Sequence, residues 1–197
     1  MAVTSTPSNS PIDVCSRALI LIGADPITSF DDNTNEALVA SNMYEDIARA
    51  SLVNSRWRFS TNQVVMNRLT AAPTGRYDAA YQLPSGWLMT HTVTQNDNPI
   101  DYQIYGDKVF CDVDSTAVLV LDYTYRAEEQ DWPSYFTVAV EYELATVFSV
   151  SLARDQQLAT LMGQQAQFQM AKARNLDSQQ QTTRKFATNR FITNRLT

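Results

Sequence analysis

Asp112 and Asp114 stand two residues apart in a stretch rich in β-formers, a spacing that puts two carboxylates on one face of a strand. Across a cleft, a pair of acids with one pKa raised can cleave a glycosidic bond. The same two residues also suit a solvated edge beside a turn. Glu141 and Glu143 are two apart in a helical stretch, so they point about 200° apart and cannot flank one bond. They read as early-helix acids favoured by the dipole. Glu128 and Glu129 read as surface charge ahead of a helix. Asp31, Asn33 and Asn35 occupy the first, third and fifth positions of a calcium loop, but Glu36 stands where that loop needs glycine and Asn42 where it needs a bidentate glutamate. A capping loop before a helix is the better reading. His91 is the one histidine, set between Thr90 and Thr92 in a predicted strand, with no Ser or Cys spaced to make it a triad base. Cys15 and Cys111 read as core residues, too few and too far apart for a zinc site or a disulfide scaffold. The sequence contains no glycine-rich phosphate loop and no nucleophile elbow. Neither a metal nor a cofactor is expected.

The 197 residues are 44% hydrophobic and 18% charged, enough apolar content for one ordinary domain or one domain with an insertion. The net charge is −6, which disfavours a free-standing nucleic-acid binder. Residues 171–197 hold six basic residues and one acidic, net +5, so the acidity lies in the body. An acidic body with a basic tail suggests a tail that docks onto something else. The longest apolar run, Ala18 to Gly23, is too short to span a bilayer, and residues 1–11 lack the basic and apolar regions of a secretory signal.

These residues must be positioned by helices at both ends and strands between. Ser10-Pro11-Ile12-Asp13 is a helix start: Ser10 can cap, Pro11 suits the first turn, and Asp13 can return a capping bond. Val14, Ala18, Leu21 and Ile22 give the stripe, and Gly23 suits the position just past the end. Residues 24–34 read as loop. A second helix is predicted from Asn35 to Asn54, with Val39, Met43, Ile47, Ala50 and Val53 as its buried stripe. Period-two patterning then predicts strands at Gln63–Leu69, Trp87–Gln95, Tyr102–Ile104, Lys108–Val113 and Ala117–Arg126, with Tyr105-Gly106-Asp107 as a hairpin turn. Both alternating sets of the last strand are apolar, so both its faces should be covered. Asp131 is expected to cap a third helix that is apolar on almost every side and therefore central. Asp155 is expected to cap a fourth, with Leu158, Met162, Ala166, Met170 and Ala173 as its stripe, and Leu161 and Phe168 beside it. Residues 178–197 show no stripe. They read as an extended arm, polar and basic, with isolated apolar anchors.

The predicted fold is α+β: a mainly helical, four-helix domain from residues 10–59 and 127–177, with a small antiparallel β-module, 60–126, inserted, and a C-terminal arm, 178–197. Leu52 to Phe59 bridges the helical and β parts. Trp57 and Phe59 flank Arg58 there, an aromatic hinge at the domain junction.

Four phrases occur in order along the chain: Leu19-Ile20-Leu21-Ile22-Gly23, Trp57-Arg58-Phe59, Tyr81-Gln82-Leu83-Pro84 and Asp131-Trp132-Pro133. In this order, over residues 10–177, the chain resembles the head-to-tail adaptor family of short-tailed phages, the tail tubular protein A or gatekeeper type. The arm 178–197 has no matching phrase. The resemblance implies a structural protein of the virion neck, not an enzyme, forming a homo-oligomeric ring, commonly a dodecamer; the acidic, single-core chain itself suits a free monomer whose assembly waits for the portal. Its partners would be the portal protein above and the tail nozzle protein below. DNA would pass through without specific binding, with no membrane involved. An acidic wall would let the duplex slide. In this reading Arg184, Lys185, Phe186, Arg190, Phe191 and Arg195 dock on the portal, since Arg suits carboxylate grooves and aromatics anchor. The hairpin residues Tyr105, Gly106, Asp107 and Lys108 would face the nozzle or a neighbouring subunit. The alternative is a tail-associated, carboxylate-dependent glycan hydrolase built on Asp112 and Asp114.

Overall fold

A computed structural model describes residues 9–180 apart from Ala72 and Thr74. The portal-docking residues expected in the arm, Arg184, Lys185, Phe186, Arg190, Phe191 and Arg195, lie outside the described residues.

The described chain is an α+β fold of four α-helices and two small antiparallel sheets. Helix α1 (Pro11–Leu21) starts as its sequence dictates, with Ser10 and Asp13 in a reciprocal capping box. It ends at Gly23, whose φ of +76° lets the Gly23 and Ala24 amides reach back to the Ile20 and Leu19 carbonyls. Its buried face is Val14, Cys15, Ala18 and Leu19, while Leu21 is exposed, so the face is turned by one residue from the predicted stripe. Helix α2 (Asn35–Val53) is capped by Thr34. The predicted α2 stripe is corrected: Ala37, Ala40, Tyr44, Ala48, Ser51 and Leu52 are buried, whereas Ala50 and Val53 are exposed. Small alanines let the backbone approach its neighbours closely, leaving the bulkier Val39 and Ile47 at the margins of the core.

Helix α3 (Ser134–Ser151) packs against α1, α2 and α4, so it is the central helix its all-round apolar sequence predicts. Asp131 does not cap it. Asp131 closes a short 3₁₀ turn (Glu129–Asp131), and Pro133 stands at the N-cap with no side-chain bond. Pro lacks the N–H that a cap would serve, and its fixed φ sets the chain's direction instead. Helix α4 (Gln156–Gln179) is capped by Asp155, which accepts the Gln157 and Leu158 amides. It buries Ala159, Ala166, Met170, Ala173 and Asp177, while Leu158 and Met162 are half-buried. It takes in Ser178 and Gln179, which the sequence reading placed in the arm.

Between α2 and α3 run β1 (Thr61–Val65), β2 (Ala79–Gln82), β3 (Trp87–Gln95), β4 (Asn98–Pro99), β5 (Gln103–Tyr105), β6 (Lys108–Cys111) and β7 (Leu119–Tyr125). One sheet has the order β1-β7-β3-β4 and the other β2-β6-β5. Strand β7 sits between β1 and β3 and buries Leu119, Leu121 and Tyr123 on one face; the other face is covered only in part, with Thr124 buried, Val120 and Asp122 half-buried and the preceding Val118 exposed, so the expectation of two covered faces is corrected. β2 and β4 go beyond the predicted strands; β2 holds only four residues and alternates no polar partner until Gln82.

Two apolar clusters result. One gathers α1 to α4 around Phe136, Val140, Leu144 and Phe148, with Trp57 and Trp132. The other joins the sheets through Tyr81, Val93, Val109, Leu119 and Leu121.

Candidate functional site

The chain crosses between the two clusters twice, at residues 57–60 and at 125–132, and the two crossings are bound together. Trp57 is fully buried and donates from its indole to the Ser51 carbonyl at 2.9 Å. Its ring packs edge-on against Phe136 at 5.0 Å, and Phe59 and Trp132 lie 4.9 Å from the same ring. Edge-to-face rings at these spacings add about 0.5–1.5 kcal/mol each beyond their burial. Arg58, between the two aromatics, is exposed, yet its amide donates to the Asp177 carboxylate at the end of α4 at 3.2 Å, and its Nε donates to the Asp177 backbone carbonyl at 3.1 Å. The Tyr135 hydroxyl donates to the same carboxylate at 2.9 Å. Burial, then the Asp177 hydrogen bond, pushes the Tyr135 phenol up to about 12. Trp57, Arg58 and Phe59 lie between α2 and β1, where the chain leaves the helical cluster.

A charged cluster reinforces the second crossing. Glu129 is buried, correcting its reading as surface charge. It accepts from the Tyr44 hydroxyl at 2.7 Å and from the Arg126 guanidinium. Arg126 also donates to Glu45 at 2.9 Å and stacks over Trp132. Burial alone would raise Glu129, but hydrogen bonds from Tyr44 and Arg126 hold it below its ordinary value. Burial and the neighbouring Glu129 push the Tyr44 phenol far up, so it stays protonated and donating. No spacing rule links residues 44, 126 and 129, so the cluster was invisible in the sequence. Glu141 is likewise no dipole acid: it lies two turns inside α3, buried, and pairs with Arg17 of α1 at 2.7 Å.

The hairpin Tyr105-Gly106-Asp107-Lys108 forms as predicted, with Tyr105 opposite Lys108 and Gly106 at φ +62°. Its turn is anchored from behind: Gln82 donates to the Asp107 carboxylate at 2.9 Å, and the Leu83 amide to the Asp107 carbonyl at 3.0 Å. The Gln82 bond holds the Asp107 carboxyl below its usual range. Tyr105 is 55% exposed, beside Tyr77 and Phe110. The hairpin thus presents an aromatic group on a rigid turn.

Asp112 and Asp114 do not form a shared strand face, because β6 ends at Cys111. Asp112 accepts the Asp78 amide at 3.0 Å. Asp114 is bound into its own turn by the Thr116 amide at 3.2 Å and by Ser115, which hold its carboxyl low. The calcium-like loop is a capping loop: Asp32 accepts the Thr28 and Ser29 amides at 2.8 and 3.0 Å. Among the described residues, no three His, Cys, Asp or Glu side chains come together to hold a metal ion. His91 contacts the Thr124 hydroxyl at 2.8 Å, and burial lowers its pKa. Cys15 and Cys111 are buried, and burial pushes their thiols up to about 12 and about 11. No described helix is long and apolar enough to cross a membrane.

The sequence reading missed one further surface. Between α2 and α3 lies an open groove of about 470 Å³, walled by Leu38, Val39, Met43, Thr146, Val147 and Val150. Almost all of its wall is apolar.

No protein-family model matches the chain, and no curated protein matches it.

Proposed function

We propose that this chain is a virion structural protein, a head-to-tail adaptor whose copies form a ring between the portal and the tail nozzle. The observation that carries the reading is where the four phrases fall. Leu19 to Gly23 forms the end of α1 and its glycine stop. Trp57-Arg58-Phe59 and Asp131-Trp132-Pro133 meet at one ring, Phe136. In Tyr81-Gln82-Leu83-Pro84, Tyr81 and Leu83 are buried in the β core, and Gln82 and Leu83 brace the Asp107 turn. Two of the phrases that suggest the family thus meet where the helical and β parts join, and a third braces the β-module from within. The acidic body is consistent with a channel that lets DNA pass.

In this reading residues 10–59 and 127–177 are the helical domain and 60–126 an inserted β-module. The arm docks on the portal through Arg184, Lys185, Phe186, Arg190, Phe191 and Arg195. The rigid Tyr105 hairpin faces the nozzle. A glycan hydrolase on Asp112 and Asp114 draws no support from the geometry, since the carboxylates are engaged separately, Asp112 by the distant Asp78 amide and Asp114 within its own turn.

Native mass spectrometry of the full chain mixed with portal rings of candidate short-tailed phages tests the proposal. The expected result is saturation at one copy per portal subunit, and loss of binding when residues 181–197 are deleted. Binding to no portal by folded protein overturns the adaptor reading, and portal binding that survives the deletion overturns the docking role of the arm.

A further inference from the structure

Two apolar surfaces of this chain, on different elements, have matching chemistry. The first is the groove between α2 and α3, where Leu38 is 61% and Val150 53% exposed. The second is the outer stripe of α4. Leu161 and Phe168, 50% and 62% exposed, are one heptad apart and so share a face. That face lies about 200° around the helix from Ala159 and Ala166, which pack inward. The groove's Thr146 wall is the side that adjoins α4, at Gly163, so the outer stripe of α4 cannot reach the groove of its own copy.

The charges match as well. One turn beyond the groove's Asn42 and Met43 on α2 stands Asp46, and one turn before Thr146 and Val147 on α3 stands Glu143. Because α2 and α3 line the groove with opposite ends of their sequences, both acids lie at the same end of it. Neither has a hydrogen-bond or salt-bridge partner among the described residues. On α4, Lys172 follows Phe168 by one turn on the same face and is exposed.

We infer that the α2–α3 groove receives the outer face of α4 from a second copy of this chain, with Phe168 and Leu161 in the apolar trough and Lys172 at the acidic end. This contact would be the joint between neighbours in the ring, so it rests on the adaptor reading for its role. The two surfaces belong to different faces of one molecule, so the contact is heterologous. Such contacts repeat head to tail and close into rings when the rotation permits. A burial of two large apolar side chains in a dry groove is the pattern of an interface centre, and the Lys172 contact fixes its direction.

The test uses the full-length chain at millimolar concentration, followed by sedimentation velocity and native mass spectrometry. Leu38→Asp spoils the groove and Phe168→Asp spoils the stripe; both sites are exposed, so both variants keep the fold, which circular dichroism checks. At this concentration the wild type is expected to self-associate, although it stays monomeric when dilute and away from the portal. Each variant alone should weaken that association by about tenfold or more, a change of about 1.4 kcal/mol. A mixture of the two should form a single one-to-one heterodimer, because each variant retains one intact face. Lys172→Glu should weaken association, and mixing it with Asp46→Lys should restore pairing.

A wild type that stays monomeric at this concentration overturns the inference. So does a variant that associates as well as the wild type, or a mixture that forms no heterodimer. Cross-linking of Phe168→Cys to itself in place of Val147→Cys would show an isologous contact and overturn it too. Binding of the groove by the chain's own residues 181–197, seen as monomers that associate only once those residues are removed, also overturns it. The ring reading is tested separately. Ring formation on a portal that these variants leave unchanged refutes this joint and leaves the adaptor standing.

Discussion

Glu129 shows how much one buried carboxylate can hold together. It takes bonds from Tyr44 of α2 and Arg126 at the end of β7, joining a helix to the strand that leads back into the helical core. Removing one partner of a buried pair leaves the other charge unpaired, so Arg126→Ala should lower unfolding stability by about 3 kcal/mol, read from urea denaturation. Tyr44→Phe should cost about 1–2 kcal/mol by the same measure. The folded pKa of Glu129 is depressed, so its contribution is present above the ordinary value of 4.5 and is lost as pH falls through the lower folded value. The acid limb of the stability curve should therefore flatten in Glu129→Gln. The residue types of this cluster were plain in the sequence, but their partnership was not, since residues 44 and 129 are separated by the whole β-region.

At the scale of elements, local signals were reliable where the chain answers to its own backbone. The α1 capping box, the glycine stop at Gly23, the Asp155 cap and the two-residue Gly106-Asp107 turn all form, because each is a bond between groups a few residues apart. Gly106 at φ +62° has nothing within 4 Å of where a Cβ would stand, so Gly106→Ala should cost only the backbone strain, about 1 kcal/mol. Thermal unfolding followed by circular dichroism measures it, and exchange of the β5–β6 amides should rise. Burial patterns were less legible. The period-3.6 spacing of Val39, Met43, Ile47, Ala50 and Val53 predicts the α2 stripe, yet the helix turns its alanines and Tyr44 inward. Which of two plausible faces is buried depends on what it meets, and α3 meets the small one.

For the whole molecule, Phe136 is the point at which both crossings converge. Phe136→Ala would remove a ring that Trp57, Phe59 and Trp132 all touch, and should cost about 3–5 kcal/mol. A chain ended after residue 126 would lose α3 and α4 altogether. Its α1 and α2 should then lose their helical signal in the far ultraviolet, because the core that orders them is completed only by residues far along the chain. The sequence by itself determined the α+β class, the order of the four helices and of five of the strands, the Ser10 and Asp155 caps and the hairpin at Gly106. Those follow from local hydrogen bonding, from periodicity and from the sizes of neighbouring side chains. Tertiary structure alone decided that Asp112 and Asp114 stay apart and that Glu129 and Glu141 are buried in ion pairs. It also left a groove between α2 and α3 and an apolar stripe on the far side of α4. These outcomes depend on how elements distant in sequence pack, and a surface is left unpaired only once every other face has been used.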